Sequence, residues 1–294
     1  MKVQTMSIVV GTEACNARCP FCIAGMTPCR ENLPSNFGLI NWRNFDIACR
    51  CAYQAGVMTV LLTGKGEPTL YPELITTYLQ ELSAKKYFPF IELQTNGILL
   101  GKDKYDTYLA EWYKLGLTTI CISTVHYLCY ENSKIYQPYL DKASDILDLV
   151  SLINKLHKFG FSVRLSCMLV SGYIDSANEF ELLMDFCRRN KVEQLTVRPI
   201  VAPNESESST IASWTRQHSL TNEQILDIHK YIDSRGHAVL ELPHGATVYD
   251  VEGQNVCWAN CITTNKSIEE MRQIIFFPDG RISYDWKYNG AILL

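Results

Sequence analysis

Six short apolar runs alternate with longer amphipathic ones, and this alternation limits how the chain folds more than any other feature. The short runs are Met6–Val10, Thr59–Leu62, Phe90–Gln94, Thr119–Ser123, Ser162–Leu169 and Gln194–Arg198. Each is rich in β-branched or apolar residues, as strands buried on both faces are. The runs between them have helical period. One spans Trp42 to Ala55 and stops at Gly56; the next begins near Pro72, a favoured first helical position. Tyr105, Tyr108, Leu109, Trp112 and Leu115 form a third stripe, and Ile146, Leu149, Val150, Ile153 and Leu156 a fourth. Ser176 with Glu179, and Thr221 with Gln224, have the spacing of capping boxes for two more helices. Repeated strand–helix units of this kind predict a parallel sheet with helices outside it. At 294 residues the chain suits one large α/β domain, or a domain with an appendage.

In such architectures chemistry belongs at the carboxyl ends of the strands. The unusual residues fall there each time. A cysteine loop follows the first strand and Gly64-Lys65-Gly66-Glu67-Pro68 the second. Thr95-Asn96-Gly97 follows the third, Thr124-Val125-His126 the fourth, Ser171-Gly172 the fifth and Pro199 the sixth.

The cysteine loop holds Cys15, Cys19 and Cys22 in a Cys-x3-Cys-x2-Cys spacing. Three thiolates on a cubane of four irons leave one iron without a protein ligand, free to bind a small molecule. A zinc site is the competing reading; it wants a fourth ligand, and Cys29 is the only close candidate. Disulfides fit poorly. The chain has 12 cysteines, and Cys49, Cys121, Cys167 and Cys187 lie inside apolar periodic segments. The apolar start Met6 to Val10 is too short for a secretory h-region, so a reducing, cytoplasmic setting is expected. No apolar stretch approaches the roughly 20 residues that span a bilayer.

The triad, with Phe21 just before its third cysteine, resembles the cluster motif of the radical S-adenosylmethionine (SAM) superfamily. Thr63-Gly64-Lys65-Gly66-Glu67-Pro68 resembles that family's Gly-Gly-Glu-Pro element, with Lys65 in place of the first glycine. The resemblance covers roughly the first 200 residues, and within the superfamily it points to the molybdenum-cofactor cyclase and peptide-maturing group. It implies a [4Fe–4S] cluster on Cys15, Cys19 and Cys22, with SAM as cofactor on the open iron. It implies that Gly66 and Glu67 hold the SAM ammonium, and that Thr95 and Ser123 set hydroxyls against its carboxylate or ribose. Phe21 would lie near the adenine, and Arg198 would line the cofactor site from the sixth strand. The implied fold is a partial (β/α)6 TIM-type barrel over residues 1–201. A C-terminal extension containing a β-hairpin, residues 202–294, would close the barrel mouth.

In that extension Ile274 to Ser283 predicts a hairpin with Asp279-Gly280 at its turn. Trp214, His244, Trp258 and Trp286 offer a mixed aromatic and polar pocket wall. Cys257 and Cys261 are too few for the auxiliary cluster that some relatives carry, so two structural thiols are expected.

These features predict an enzyme that cleaves SAM to a 5′-deoxyadenosyl radical and acts on a small molecule or a peptide. An external one-electron reductant, flavodoxin- or ferredoxin-like, would serve it as partner. An RNA-modifying member is the second reading, against which the net charge of −4 and the lack of a basic run count. An activating enzyme for a glycyl-radical partner would suit a shorter chain. A non-catalytic metal-binding or redox-sensing module would need the triad but not Gly66, Glu67 and the strand-end hydroxyls.

Overall fold

All six predicted strands form, and each pairs parallel with the next. The computed structural model describes residues 2–27, 40–139, 146–260 and 270–294. The first half runs β1 (Lys2–Val9), α1 (Ile23–Met26), α2 (Trp42–Gln54), β2 (Thr59–Thr63), α3 (Pro72–Lys85), β3 (Phe90–Thr95), α4 (Asp106–Lys114) and β4 (Thr119–Thr124). It continues through α5 (Cys129–Tyr136), α6 (Leu149–Phe159), β5 (Ser162–Leu169), α7 (Ala177–Arg189) and β6 (Gln194–Pro199). The remainder is α8 (Ser209–His218), α9 (Asn222–Arg235), β7 (Gly236–Glu241), β8 (Thr247–Val251), β9 (Gln254–Trp258), β10 (Glu270–Phe276) and β11 (Ile282–Ser283).

Helix starts follow local chemistry. Asn41 Oδ1 accepts from the Asn44 amide at the head of α2, and Asp148 accepts from the Val150 and Ser151 amides at the head of α6. The Thr221–Gln224 box is complete on α9. On α7 only half of it forms. Ser176 accepts from the Glu179 amide, but the Glu179 carboxylate is taken by the Tyr127 hydroxyl and faces His126.

The strands are not apolar on both faces. Ile91, Leu93, Ile120, Ile122, Leu165, Leu195 and Val197 point outward into the core beneath the helices. The alternate positions, Glu92, Gln94, Ser123, Arg164, Ser166, Thr196 and Arg198, therefore face the barrel interior. A run that reads as apolar at β-branched positions thus carries a polar lining on its second face.

The extension does more than add a hairpin. In the sheet order β11-β10-β1-β2-β3-β4-β5-β6-β9-β8-β7, it supplies strands at both ends of the six. β9 pairs parallel with β6 and β10 pairs parallel with β1, so eight parallel strands form an open barrel wall. The predicted hairpin is present as β10–β11, with Gly280 at φ +94° in its turn. Phe276 of β10 is fully buried against Phe45 of α2 and Tyr78 of α3. Burying one such ring contributes about 1.5–3 kcal/mol, so barrel and extension share one sheet and one core. Among the described residues the sheet is not closed by a ladder. The β7–β8 hairpin nevertheless reaches across its open side, where His244 Nδ1 lies 3.0 Å from Gln4 Oε1 of β1. Among the described residues no helix is long and apolar enough to cross a membrane.

Candidate active site

The cysteine loop leaves β1 through Gly11, whose φ is +72° and whose Cα hydrogen faces the Tyr71 ring. A Cβ there would fall 2.1 Å from a ring carbon, so only glycine fits. Tyr71 also bonds the Thr12 hydroxyl, which accepts from the Ala14 amide. Arg18 folds back to donate to the Cys15 and Ala17 carbonyls. The three cysteines are half-buried and free, and the Ala17 amide donates to Cys15 Sγ at 3.4 Å.

The loop after β2 is fastened to this one. The Glu67 amide donates to the Ala14 carbonyl at 2.9 Å. Gly66 sits so close that a Cβ would lie 2.1 Å from that same carbonyl oxygen. Lys65 is buried, and its ammonium donates to the Thr27 hydroxyl at 2.7 Å, just past the third cysteine. The glycine expected at position 65 by resemblance is thus replaced by a side chain that ties the β2 loop to the end of α1.

Glu67 is only 3% exposed. Its Oε1 accepts from the Thr69 amide (3.0 Å), the Thr69 hydroxyl (2.6 Å) and the Thr95 hydroxyl (2.6 Å). Its Oε2 accepts from the Asn96 amide at 2.9 Å. Burial pushes this carboxyl up, and the Thr69, Thr95 and Asn96 donors pull it back. Thr95 is equally committed, since its hydroxyl also accepts from the Gly97 amide. Asn96 was not singled out from sequence. Its Nδ2 donates to Asn16 Oδ1 at 2.8 Å and stands 4.0 Å from Cys15 Sγ, so it joins the Glu67 hub to the cysteine loop. The Thr95-Asn96-Gly97 tripeptide was the available signal, because an Asn at a strand's carboxyl end carries both donor and acceptor.

Around the loop the strand ends form a small apolar collar of their own. Ala17, Phe21, Val125, Ile135, Tyr136, Val170 and Ile200 are buried together, with Cys15 and Cys19 packed against them. Phe21 lies 6.4 Å edge-on to Tyr136 and 6.0 Å from Trp214, and Trp214 stacks on His218. Ser123 borders a small surface pocket with Asn96, Ile98, Asn132 and Tyr136. Arg198 is the register partner of Met168, which packs against this collar. Its charge acts on Cys257 of β9, Arg272 of β10 and His244 of the β7–β8 hairpin.

Of the two other expected wall residues, one is elsewhere. Trp258 belongs to the outward core, its ring 4.0 Å from His229 of α9, because alternation along β9 turns it away from the interior. Trp286 packs on Phe277 beside Val9 and Ile275, which alternate with the outward Ile8, Ile274 and Phe276 and so lie on the inner face of the sheet. Cys29, the candidate fourth zinc ligand, and Cys261 lie outside the described residues.

The donor set suits an iron–sulfur cubane. Three soft thiols converge on one loop, walled by apolar side chains and met by an amide donor at Cys15. Burial and the neighbouring thiols raise Cys19, so its thiolate needs a bound cation beside it. No group of three His, Cys, Asp or Glu among the described residues is gathered as tightly as one metal ion requires. In a cubane each thiolate binds a different iron, so a wider spacing is what this loop should have.

A family model described as the radical SAM superfamily matches residues 9–187. No protein of curated function matches the chain. Among solved structures, Streptococcus suis SuiB bound to its precursor peptide SuiA superposes with a TM-score of 0.60 at 17% identity. That match covers 96% of this chain and 59% of SuiB, so the chain spans about three fifths of SuiB's length. SuiB bound to S-adenosylmethionine gives 0.60 at 18% identity, covering 98% of this chain and 61% of that one. Native anSMEcpe with bound AdoMet and the Cp18Cys peptide gives 0.58 at 13% identity, over 98% of this chain and 75% of that one. At such identities the likeness speaks for the fold.

Proposed function

This chain belongs to the radical SAM superfamily of enzymes, whose members use a [4Fe–4S] cluster and SAM, and from that premise we propose that it cleaves SAM reductively to functionalise a small molecule or a peptide. The observation that carries this reading is the fastening of the Cys15–Cys22 loop to Gly66, Glu67 and Asn96 by short contacts.

Cys15, Cys19 and Cys22 are the ligands that would hold the cluster, which supplies the electron that splits SAM into methionine and a 5′-deoxyadenosyl radical. Gly66 brings backbone carbonyls within reach of the SAM ammonium, as only a residue without Cβ permits. Each carboxylate oxygen offers roughly two acceptor positions, and on Glu67 they are unevenly used: Oε1 takes three donors and Oε2 only one. Oε2 is therefore the atom left to face the ammonium. Thr95 holds Glu67 in place, and Ser123 is the hydroxyl that lines the small pocket beside Asn96. Phe21, Val125, Val170 and Ile200 exclude water from the cofactor's apolar side. The extension, residues 202–294, walls the mouth through α8, whose Trp214 meets Phe21.

The peptide-bound SuiB and anSMEcpe neighbours support a peptide substrate. An external flavodoxin- or ferredoxin-like protein would deliver the electron. The free cysteines support a reducing compartment, the cytoplasm. Anaerobic reconstitution followed by assay for 5′-deoxyadenosine tests the reading. Wild type should carry about four irons per chain and form the product with a strong reductant. A triple Cys15→Ala, Cys19→Ala, Cys22→Ala variant that kept the same iron content would sink it.

A further inference from the structure

Asn16 lies between two of the loop cysteines, Cys15 and Cys19, and the orientation of its side chain follows from its neighbours. Asn96 Oδ1 accepts from the Ile98 amide at 3.0 Å, which turns Asn96 Nδ2 towards the cysteine loop. That nitrogen donates to Asn16 Oδ1 at 2.8 Å and stands 4.0 Å from Cys15 Sγ. A donor needs an acceptor opposite it, so Asn16 presents its oxygen to Asn96 and turns its NH2 elsewhere. Asn16 Nδ2 is buried there, and it has no hydrogen-bond partner among the described residues.

The loop offers that nitrogen little. The Ala14 carbonyl accepts from the Glu67 amide, and the Cys15 and Ala17 carbonyls accept from Arg18. The carbonyl of Asn16 accepts from the Tyr139 hydroxyl, and those of Cys19 and Cys22 accept from the Cys22 and Gly25 amides. The collar side chains Ala17, Phe21, Val125, Val170 and Ile200 carry no acceptor. A buried donor left in this way is costly unless an acceptor arrives from outside the chain.

We infer that Asn16 Nδ2 donates a hydrogen bond to a sulfur of the [4Fe–4S] cluster, and that Asn96 is the positioning residue that aims it. The inference rests on the function proposed above, in which Cys15, Cys19 and Cys22 hold that cluster. Reduction adds a negative charge to the cluster, so a donor to its sulfurs favours the reduced form and raises the potential. The side chain of Asn16 thus helps the loop accept the electron that SAM cleavage needs.

The test is the midpoint potential of anaerobically reconstituted protein without SAM, read by EPR-monitored titration. Asn16→Leu keeps the bulk and changes no charge. It should make reduction about tenfold less favourable, which is about 59 mV for a one-electron couple. A side chain that only shapes the loop would leave the potential where it is. Pulsed EPR sees the donor itself, in reduced protein whose asparagines carry 15N in the side-chain amide. Wild type should show a 15N coupling that is absent in Asn16→Leu and in Asn16→Asp. The aspartate variant keeps an acceptor for Asn96 Nδ2, so it preserves the fastening of the loop should the leucine variant take up no iron. Asn96→Leu, which frees the Asn16 amide to turn, should weaken the same coupling. An unchanged potential in loaded Asn16→Leu, or no coupling that depends on Asn16, would overturn the inference and leave the amide to a bound water. Equal potentials with an about tenfold loss of SAM affinity would assign Asn16 to SAM and overturn it too. Either result leaves the proposed function standing, since iron uptake and 5′-deoxyadenosine formation by wild type test that reading. Wild type that took up no cluster would sink both.

Discussion

The Thr95 hydroxyl donates to Glu67 Oε1 at 2.6 Å, joining the end of β3 to the loop after β2 across 28 residues of chain. That bond is one of four on a single buried carboxylate, so Glu67 fixes the backbone on which cofactor contacts depend. A residue of this kind has two separable effects when changed. One is on the fold of the apo protein and the other on SAM affinity.

Glu67→Gln should lower apo-protein stability by about 1.5–3 kcal/mol, the worth of a hydrogen bond to a charged group. The new amide NH2 must face one of the donors now on the carboxylate. Thr95→Val should cost a similar amount without removing the carboxylate. Urea unfolding of the apo forms measures both. SAM affinity of the reconstituted proteins should fall further for Glu67→Gln than for Thr95→Val. Equal SAM losses would mean that Glu67 acts only by shaping the turn.

Gly66→Ala places a methyl group into the Ala14 carbonyl, a clash with backbone that no side-chain rotation relieves. Overpacking of this kind costs about 1–3 kcal/mol. The loop that must yield carries Cys15, so iron uptake on reconstitution should drop more than global stability does. Iron analysis set beside thermal unfolding reads the two effects.

The six strands and most helices were legible because hydrophobic period and caps are local signals, as at Pro72, Gly56 and the Thr221–Gln224 box. The polar inner faces were less so, since Glu92 and Arg164 balance one another 72 residues apart and only the sheet brings them together. The cysteine triad was legible from spacing alone. The roles of Asn96 and Lys65 were not, because both act by tying two loops that are distant in sequence. The contribution of the extension to both ends of the sheet was also hidden. β10 shows itself as a hairpin strand, but its parallel pairing with β1 spans almost the whole chain.

Cys257 lies on the interior face of β9, opposite Thr196 of β6, and burial raises its thiol despite Arg198 and Arg164 nearby. Double substitution of Cys257 and Cys261 by Ser should leave the iron count of the reconstituted protein unchanged. Loss of about four irons, one cubane's worth, would instead establish an auxiliary cluster.

His244 carries a prediction about pH that needs no cofactor. Its folded value, about 4, lies below its ordinary 6.5, chiefly because the ring is buried at the hairpin tip. The unfolded chain therefore binds a proton more readily than the folded one between these two values. By linkage, stability falls as pH drops from about 6.5 towards 4, and it is insensitive to this group above that window. His126 and His229 are lowered by burial as well, so the wild-type curve alone does not isolate His244. His244→Gln retains a donor for Gln4 and removes the titration. The variant should match or fall slightly below wild type near neutrality, then lose less stability on acidification. Thermal unfolding of both proteins across the window decides the matter, and parallel curves would mean that the His244 ring is not desolvated at the barrel's open side.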